Sequence, residues 1–370
     1  MRRLTVVQLL PALQSGGVER STLEIAAALV RAGHRAVVVS AGGRLLPALL
    51  ASGAEHVSLD IGRKSLLTLR HVAALRRLFA ELGADIVHAR SRLPAWLAWY
   101  ALKGMPAGQR PRFVTTVHGL NSPSRYSAVM SFGERVICVS QTVQDYLLRH
   151  YPRTDPDKLR TIPRGLDMAQ FPRRPAPDPQ ARAWAGGQVP GLASDEPLLL
   201  LPGRGTRLKG HADGLRLLAA LRAGGLPARL WLPGAIEPGR EAYLRELRAE
   251  AERLGVAAAV TFAEPTARIA EAYAASDLVL QLSRKPEAFG RTVLEALAVG
   301  RPVLGWAHGG VGELLGQLQP EGAVTPFDEA ALAAGAAALL RQPPRAPQQI
   351  PYTLQAMQSA TLKVYDELRR

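Results

Sequence analysis

Two long series in which strand-like apolar runs alternate with helical periods restrict this chain more than any other feature. In the first series Val6 to Leu10, Ala36 to Val39, Asp85 to His88 and Phe113 to Val117 are strand-like, and Val18 to Ala32, Leu66 to Leu82 and Ala95 to Lys103 carry helical spacing. The second series opens at Leu198 to Leu201 and continues through Arg229 to Leu232, Val260 to Phe262, Leu278 to Leu282 and Pro302 to Leu304. Strand, helix, strand order implies parallel strands joined by crossover helices. Between the series lies FPRRPAPDPQARAWAGGQVPGLASDEP, too rich in proline for a helix or a central strand. It marks the domain boundary or a surface excursion just beyond it. The expectation is two α/β domains, residues 1–170 and 171–350, with a terminal helix in 351–370 after the proline-rich RQPPRAPQQIP.

A chain of 370 residues is too long for one hydrophobic core and suits two domains. With 47% hydrophobic and 21% charged residues it reads as globular throughout. The single cysteine, Cys138, sits in the apolar run RVICVS and reads as a buried small hydrophobe in a reducing compartment. No run approaches the roughly 18 apolar residues of a membrane span. The opening MRRLTVVQLL is read as a first strand rather than a secretory leader, so a cytoplasmic location is expected. The formal net charge of +15 fits nucleic acid, an anionic membrane or a phosphorylated substrate, and also a plain compositional bias toward arginine. Aromatic residues make up only 5%, with no visible stacking platform for single-stranded nucleic acid, so no nucleic-acid partner is expected.

The chemistry gathers in SRKPEAFGRTVLEALAVGRPVLGWAHGGVGELL, where Glu287 sits in a loop closed by Phe289 and Gly290 and Glu295 lies about one turn into the next helix. A loop and a helix start at the edge of a parallel sheet can hold phosphates and sugar hydroxyls. Glu295 can accept from two vicinal hydroxyls and is the candidate for a ribose. Backbone N–H groups of Ala288, Phe289, Gly290 and Arg291 add candidate contacts to sugar or phosphate. Upstream, a strand ends at Leu201-Pro202-Gly203-Arg204 and Gly205 to Gly210 leads into a helix, a geometry that turns N–H groups toward a phosphate. Arg204 and Lys209 would add fixed positive charge where a departing diphosphate gains negative charge. In the first half, Gly16-Gly17 joins the first strand to the first helix; glycines there let the backbone approach a ligand, although a plain tight turn reads the same way. His118 follows a buried strand, and His88 and Arg90 end the preceding one, where ligands of parallel sheets collect. Ser140 is an N-cap. Asp155-Pro156-Asp157 is a polar turn, and no metal or other cofactor is expected.

The Glu287 to Glu295 segment resembles the signature of the family 4, or group 1, glycosyltransferases, and the resemblance extends over the whole chain. It implies two Rossmann-like domains facing a cleft (the GT-B arrangement), with the terminal helix crossing back to the first domain. It implies a retaining enzyme that takes a hexose-type sugar from a nucleotide-diphosphate sugar, UDP-sugar by default, without a metal. Glu287 then positions the donor sugar and stabilises charge, and His118 matches the family histidine near the reacting centre. Gly16 and Gly17 match the diphosphate and acceptor loop, with Glu19 and Arg20 beside it. Arg164, in IPRG, stands where the family usually has Asn, and it joins His88, Arg90, Glu19 and Arg20 as acceptor-binding candidates. The wording of PEAFGRTVLEALAVGRPV, HGGVGE and IPRG looks most like bacterial enzymes that build lipopolysaccharide or other cell-surface glycans. A glycan or lipid-linked glycan acceptor follows. The basic stretch Arg63-Lys64, Arg70, Arg76 and Arg77 reads either as a helix covering the sheet or as a surface touching anionic lipid, which would place the protein peripherally on the inner face of the cytoplasmic membrane. Two alternatives stand beside this: another GT-B enzyme such as a sugar-nucleotide epimerase, or a non-catalytic anion- or nucleic-acid-binding protein.

Overall fold

The computed structural model describes residues 2–14 and 16–369. The chain divides into two compact units: one holds the residues up to Gly165 and those from Leu354 onward, the other Leu166–Thr353. Among the described residues the first unit carries seven strands, β1 (Thr5–Leu9), β2 (Arg35–Ser40), β3 (Glu55–Ser58), β4 (Ile86–Ala89), β5 (Arg112–Val117), β6 (Arg135–Cys138) and β7 (Leu159–Thr161). They pair in parallel in the order β3-β2-β1-β4-β5-β6-β7. The second unit carries β8 (Leu198–Leu200), β9 (Arg229–Pro233), β10 (Val260–Ala263), β11 (Leu278–Gln281), β12 (Val303–Trp306) and β13 (Ala323–Val324), parallel in the order β10-β9-β8-β11-β12-β13. Each is a Rossmann-like sheet. The order reverses beside β1 and β4 in one and beside β8 and β11 in the other, so the loops leaving these strands open a crevice at the carboxyl edge.

The central strands are apolar on both faces because helices cover both. Val6, Val7 and Leu9 in β1 and Leu198, Leu199 and Leu200 in β8 have no exposed surface. Gln8, the polar exception in β1, is buried and fully engaged: its Nε2 donates to Thr22 O at 3.2 Å and its Oε1 accepts from Arg90 Nε at 2.8 Å. Leu66 to Leu82 is not one helix. Ser65 Oγ accepts from Leu67 N and starts a 3-10 turn, Leu66–Arg70, before the α-helix His71–Glu81.

The proline-rich segment corrects the sequence reading. It lies wholly inside the second unit and contains the helix Pro179–Gln188. Pro179 stands in the first turn, where its missing N–H costs no hydrogen bond, and Asp178 caps the helix through Ala181 N at 3.0 Å. The terminal helix Leu354–Glu367 belongs to the first unit. Met357, Val364 and Tyr365 join the core of Val6, Ile25, Leu29, Val38 and Val114. Gln358 is pinned between Arg31 and Glu24 O, and Glu367 accepts from Arg135 and Arg160.

Candidate functional site

In the second unit the loops after β8 and β11 are fastened to each other before any side chain reaches across. Gly210 has φ +74°, and a Cβ there would stand 2.0 Å from Leu282 O, so only glycine lets these backbones meet. Arg284 N also donates to Leu208 O at 2.8 Å. The clasp brings Lys209 Nζ to 2.6 Å from Glu287 Oε1. Ser283 Oγ donates to the same oxygen at 2.6 Å, and Gln281 Nε2 approaches Oε2 at 3.3 Å. Burial pushes the Glu287 carboxyl up, but the Lys209 cation and the hydrogen bonds from Lys209, Ser283 and Gln281 outweigh it and hold the pKa below the ordinary value. Glu287 is therefore a carboxylate at neutral pH, about a quarter exposed.

Its backbone is fixed as well. Glu287 pairs with Gly309, and Gly310 N donates to Glu287 O at 2.8 Å. Gly309 has φ +60°, and a Cβ there would lie 2.5 Å from Glu287 O. His308 Nε2 donates to Ser283 O at 2.8 Å. Glu295, nearly buried, accepts from Tyr273 Oη at 3.0 Å and pairs with Arg291 at 3.4 Å. Ala288 and Arg291 are half-buried, while Phe289 and Gly290 are buried, the Phe289 ring standing edge-on to Tyr352.

Three helices begin at this edge, His211–Ala223, Arg291–Val299 and Gly309–Leu318, and none has a side-chain cap. Elsewhere in the unit Asp178 and Asp328 cap their helices. Uncapped first-turn amides and the positive ends of helix dipoles suit an anion. Arg204, by contrast, is exposed and makes no side-chain hydrogen bond or ion pair among the described residues. Sequence reasoning missed Gln281, Ser283, Tyr273 and His308. The one visible signal was Gln281, a polar residue in the apolar strand LVLQ.

In the first unit Ser21 Oγ gathers two guanidinium groups, accepting from Arg164 Nη1 at 2.5 Å and from Arg90 Nη1 at 3.2 Å. Arg164 Nη2 meets His118 Nδ1. His88 is differently placed from the acceptor contact expected of it. It has no exposed surface, and its ring nitrogens are taken by Tyr365 Oη at 2.7 Å and Thr116 Oγ1 at 2.6 Å. Burial, then the charges of Arg90 and Arg164, hold its pKa well below the usual value, so it is a neutral link between sheet and terminal helix. Gly16 and Gly17 are exposed at the start of the helix Gly17–Arg31, with Glu19 half-buried and Arg20 exposed beside them; Ser15, in the same loop, lies outside the described residues. Asp155 caps a short turn through Asp157 N at 3.0 Å. Among the described residues no three His, Cys, Asp or Glu side chains gather as metal ligands.

Two parallel sheets, each with its switch-point crevice, and the acidic-basic loop of the second define a chain of the GT-B glycosyltransferase fold. The family model described as Glycosyltransferase Family 4 matches residues 15–170, and that of Glycosyl transferases group 1 matches 187–355. Each of the two stretches is thus similar to a glycosyltransferase family. A glycosyltransferase structure from Rickettsia africae superposes with a TM-score of 0.85 at 26% identity, over 100% of this chain and 99% of that one. Anabaena HepE in complex with UDP and glucose shares the fold, with a TM-score of 0.73 at 21% identity over 99% and 96% of the two chains. Among curated relatives, the D-inositol 3-phosphate glycosyltransferase of Segniliparus rotundus is 34% identical over 180 residues, 48% of this chain and 38% of that protein. The matched region thus spans well under half of that relative.

Proposed function

We propose that this protein is a retaining glycosyltransferase that moves a hexose-type sugar from a nucleotide-diphosphate sugar, a UDP-sugar first, to a lipopolysaccharide or other cell-surface glycan acceptor, without a metal. The observation that carries the reading is the Lys209–Glu287 pair, 2.6 Å apart, set among three uncapped helix starts. When the glycosidic bond breaks, negative charge grows on the diphosphate and positive charge on the sugar. Lys209, Arg204 and the helix amides meet the first, and the Glu287 carboxylate meets the second. Preformed donors of this kind contribute on the order of 3 to 4 kcal/mol each. Glu295, oriented by Tyr273, takes the ribose hydroxyls, and His118 stands for the family histidine beside the sugar.

Gly16 and Gly17 supply the first domain's share of the diphosphate loop, and Glu19, Arg20, Arg90 and Arg164 the acceptor side. Exposed Leu67 and Leu69, among Arg63, Lys64 and Arg70, are the surface for an anionic membrane on the cytoplasmic side. A second reading of the acceptor, a phosphorylated cyclitol, is favoured by the name of the curated relatives.

The test is sugar transfer from UDP-, GDP- and ADP-sugars, in the presence of EDTA, with the anomeric proton coupling of the product read by NMR. Glu287→Gln and Lys209→Met are each expected to lower kcat at least about 100-fold, equivalent to about 2.7 kcal/mol. Glu295→Ala is expected to abolish nucleotide-sugar binding. Unchanged kcat in Glu287→Gln, or an inverted product, overturns the reading.

A further inference from the structure

The turn between β13 and the helix Glu329–Arg341 holds a residue that its backbone does not favour. Asp328 N donates to Thr325 O at 3.2 Å, Pro326 stands second in the turn, and Phe327 stands third with φ +69°. Proline second and a positive φ third is the type II arrangement, which calls for Gly or Asn at the third place. Among the described residues no other non-glycine has a positive φ, and Phe327 is 48% exposed. A bulky side chain in the left-handed region strains the backbone, and such strain gathers where a side chain is held for use.

We propose that Phe327 is a positioning residue, a clamp that holds the loop of Glu287 against Lys209 for sugar transfer. The proposal rests on the glycosyltransferase reading above and adds a residue to its donor site.

The ring stands against two residues that fasten this loop. Its centre lies 5.0 Å from the Arg284 guanidinium and 6.0 Å from the His308 ring, which it meets edge-on at 83°. Arg284 is tied twice to the segment that carries Lys209. Its N donates to Leu208 O, and its Nη1 donates to Asp213 Oδ1 at 2.6 Å and Oδ2 at 2.9 Å. His308 Nε2 donates to Ser283 O at 2.8 Å, and Ser283 Oγ in turn donates to Glu287 Oε1 at 2.6 Å. The chain of contact therefore runs from Phe327 through Arg284 and His308 to the carboxylate. The Arg284 side chain is 45% exposed, and the aromatic face attracts its cation as an aliphatic side chain would not. Phe327 also lies 5.8 Å from the buried Trp306 ring, where it serves as an apolar cover. Leucine at 327 separates the two roles, because it keeps a cover over Trp306 and offers Arg284 no aromatic face.

The experiment compares Phe327→Leu and Phe327→Tyr with the parent chain by amide hydrogen exchange and by kinetics. In Phe327→Leu, exchange across residues 282–290 is expected to speed at least about 5-fold, with the strands of the second sheet unchanged. The melting point should stay within about 3 °C of the parent. In transfer from the parent's own nucleotide sugar, kcat should fall roughly 5- to 10-fold while affinity for the free nucleoside diphosphate holds within about 2-fold. Phe327→Tyr should restore both protection and kcat. Arg284→Met should reproduce the loss, and the double variant Arg284→Met/Phe327→Leu should be no worse than either alone. Unchanged exchange or kcat in Phe327→Leu, an equal loss in Phe327→Tyr, or additive losses in the double variant overturns the proposal. A lowered melting point without faster exchange at 282–290 assigns the ring to the cover over Trp306 and overturns it as well. Exchange needs no substrate, so a parent chain inactive toward every nucleotide sugar refutes the reading above, and protection at 282–290 still decides the clamp.

Discussion

At the scale of single residues, Lys209 lies 2.6 Å from Glu287, and Ser283 and Gln281 complete the cluster around that carboxylate. Glu287, Glu295 and Lys209 stand out because acidic and basic side chains beside glycine turns are costly unless used. Ser283 is an ordinary polar residue that nothing in the chain marks, and Gln281 shows only as the polar residue in the apolar strand LVLQ. His88 shows the reverse error. A histidine at a strand's carboxyl end looks like a ligand contact, but Tyr365 arrives from 277 positions away and takes one ring nitrogen. His211, at the start of the helix His211–Ala223, yields a pH prediction. Burial first, then the nearby Lys209 charge, brings its pKa down to about 4 from 6.5. Between those values the unfolded chain binds a proton that the folded chain refuses, so stability is full above about pH 6.5 and falls as the pH drops toward 4. The loss is on the order of 3 kcal/mol. Thermal melts from pH 7 to 4.5 should show it, and His211→Leu should flatten that profile.

At the scale of elements, hydrophobic period located strands and helices well and capping chemistry decided the rest. Leu66 to Leu82 has one helical period, yet Ser65 imposes a 3-10 turn on its first residues. The proline count argued against a helix in 179–188, while the position of one proline permits it. That helix depends on Asp178, which is 4% exposed, caps through Ala181 N and pairs with Arg174 at 2.7 Å. Asp178→Ala should cost about 1 to 2 kcal/mol, read as a lower urea midpoint. Asp178→Asn keeps the cap and loses the charge, and should recover most of the difference.

At the scale of the whole molecule, two βα series announced two domains; the compact units divide at Gly165/Leu166, five residues before the expected 170/171, and the proline-rich segment lies inside the second unit. The tryptophans divide between the units, Trp96 and Trp99 in one and Trp184, Trp231 and Trp306 in the other. In a Trp96→Phe/Trp99→Phe variant, emission reports the second unit alone. UDP-glucose at 100 times its Kd should stabilise that unit by about 2.7 kcal/mol, a rise of roughly 5 to 10 °C in its melting point. No shift in the emission-detected transition would count against donor binding there.

The helix Leu354–Glu367 has a bearing on how the protein is made. Because the first unit borrows it from beyond the second, the second is a domain inserted into the first. On the ribosome, residues 166–353 emerge as an unbroken stretch and can close their core at once, while the earlier sheet waits with Tyr365's place vacant. Domain order in synthesis and order of completion are thus opposite, and the half that starts first is the half a nascent-chain chaperone must guard longest.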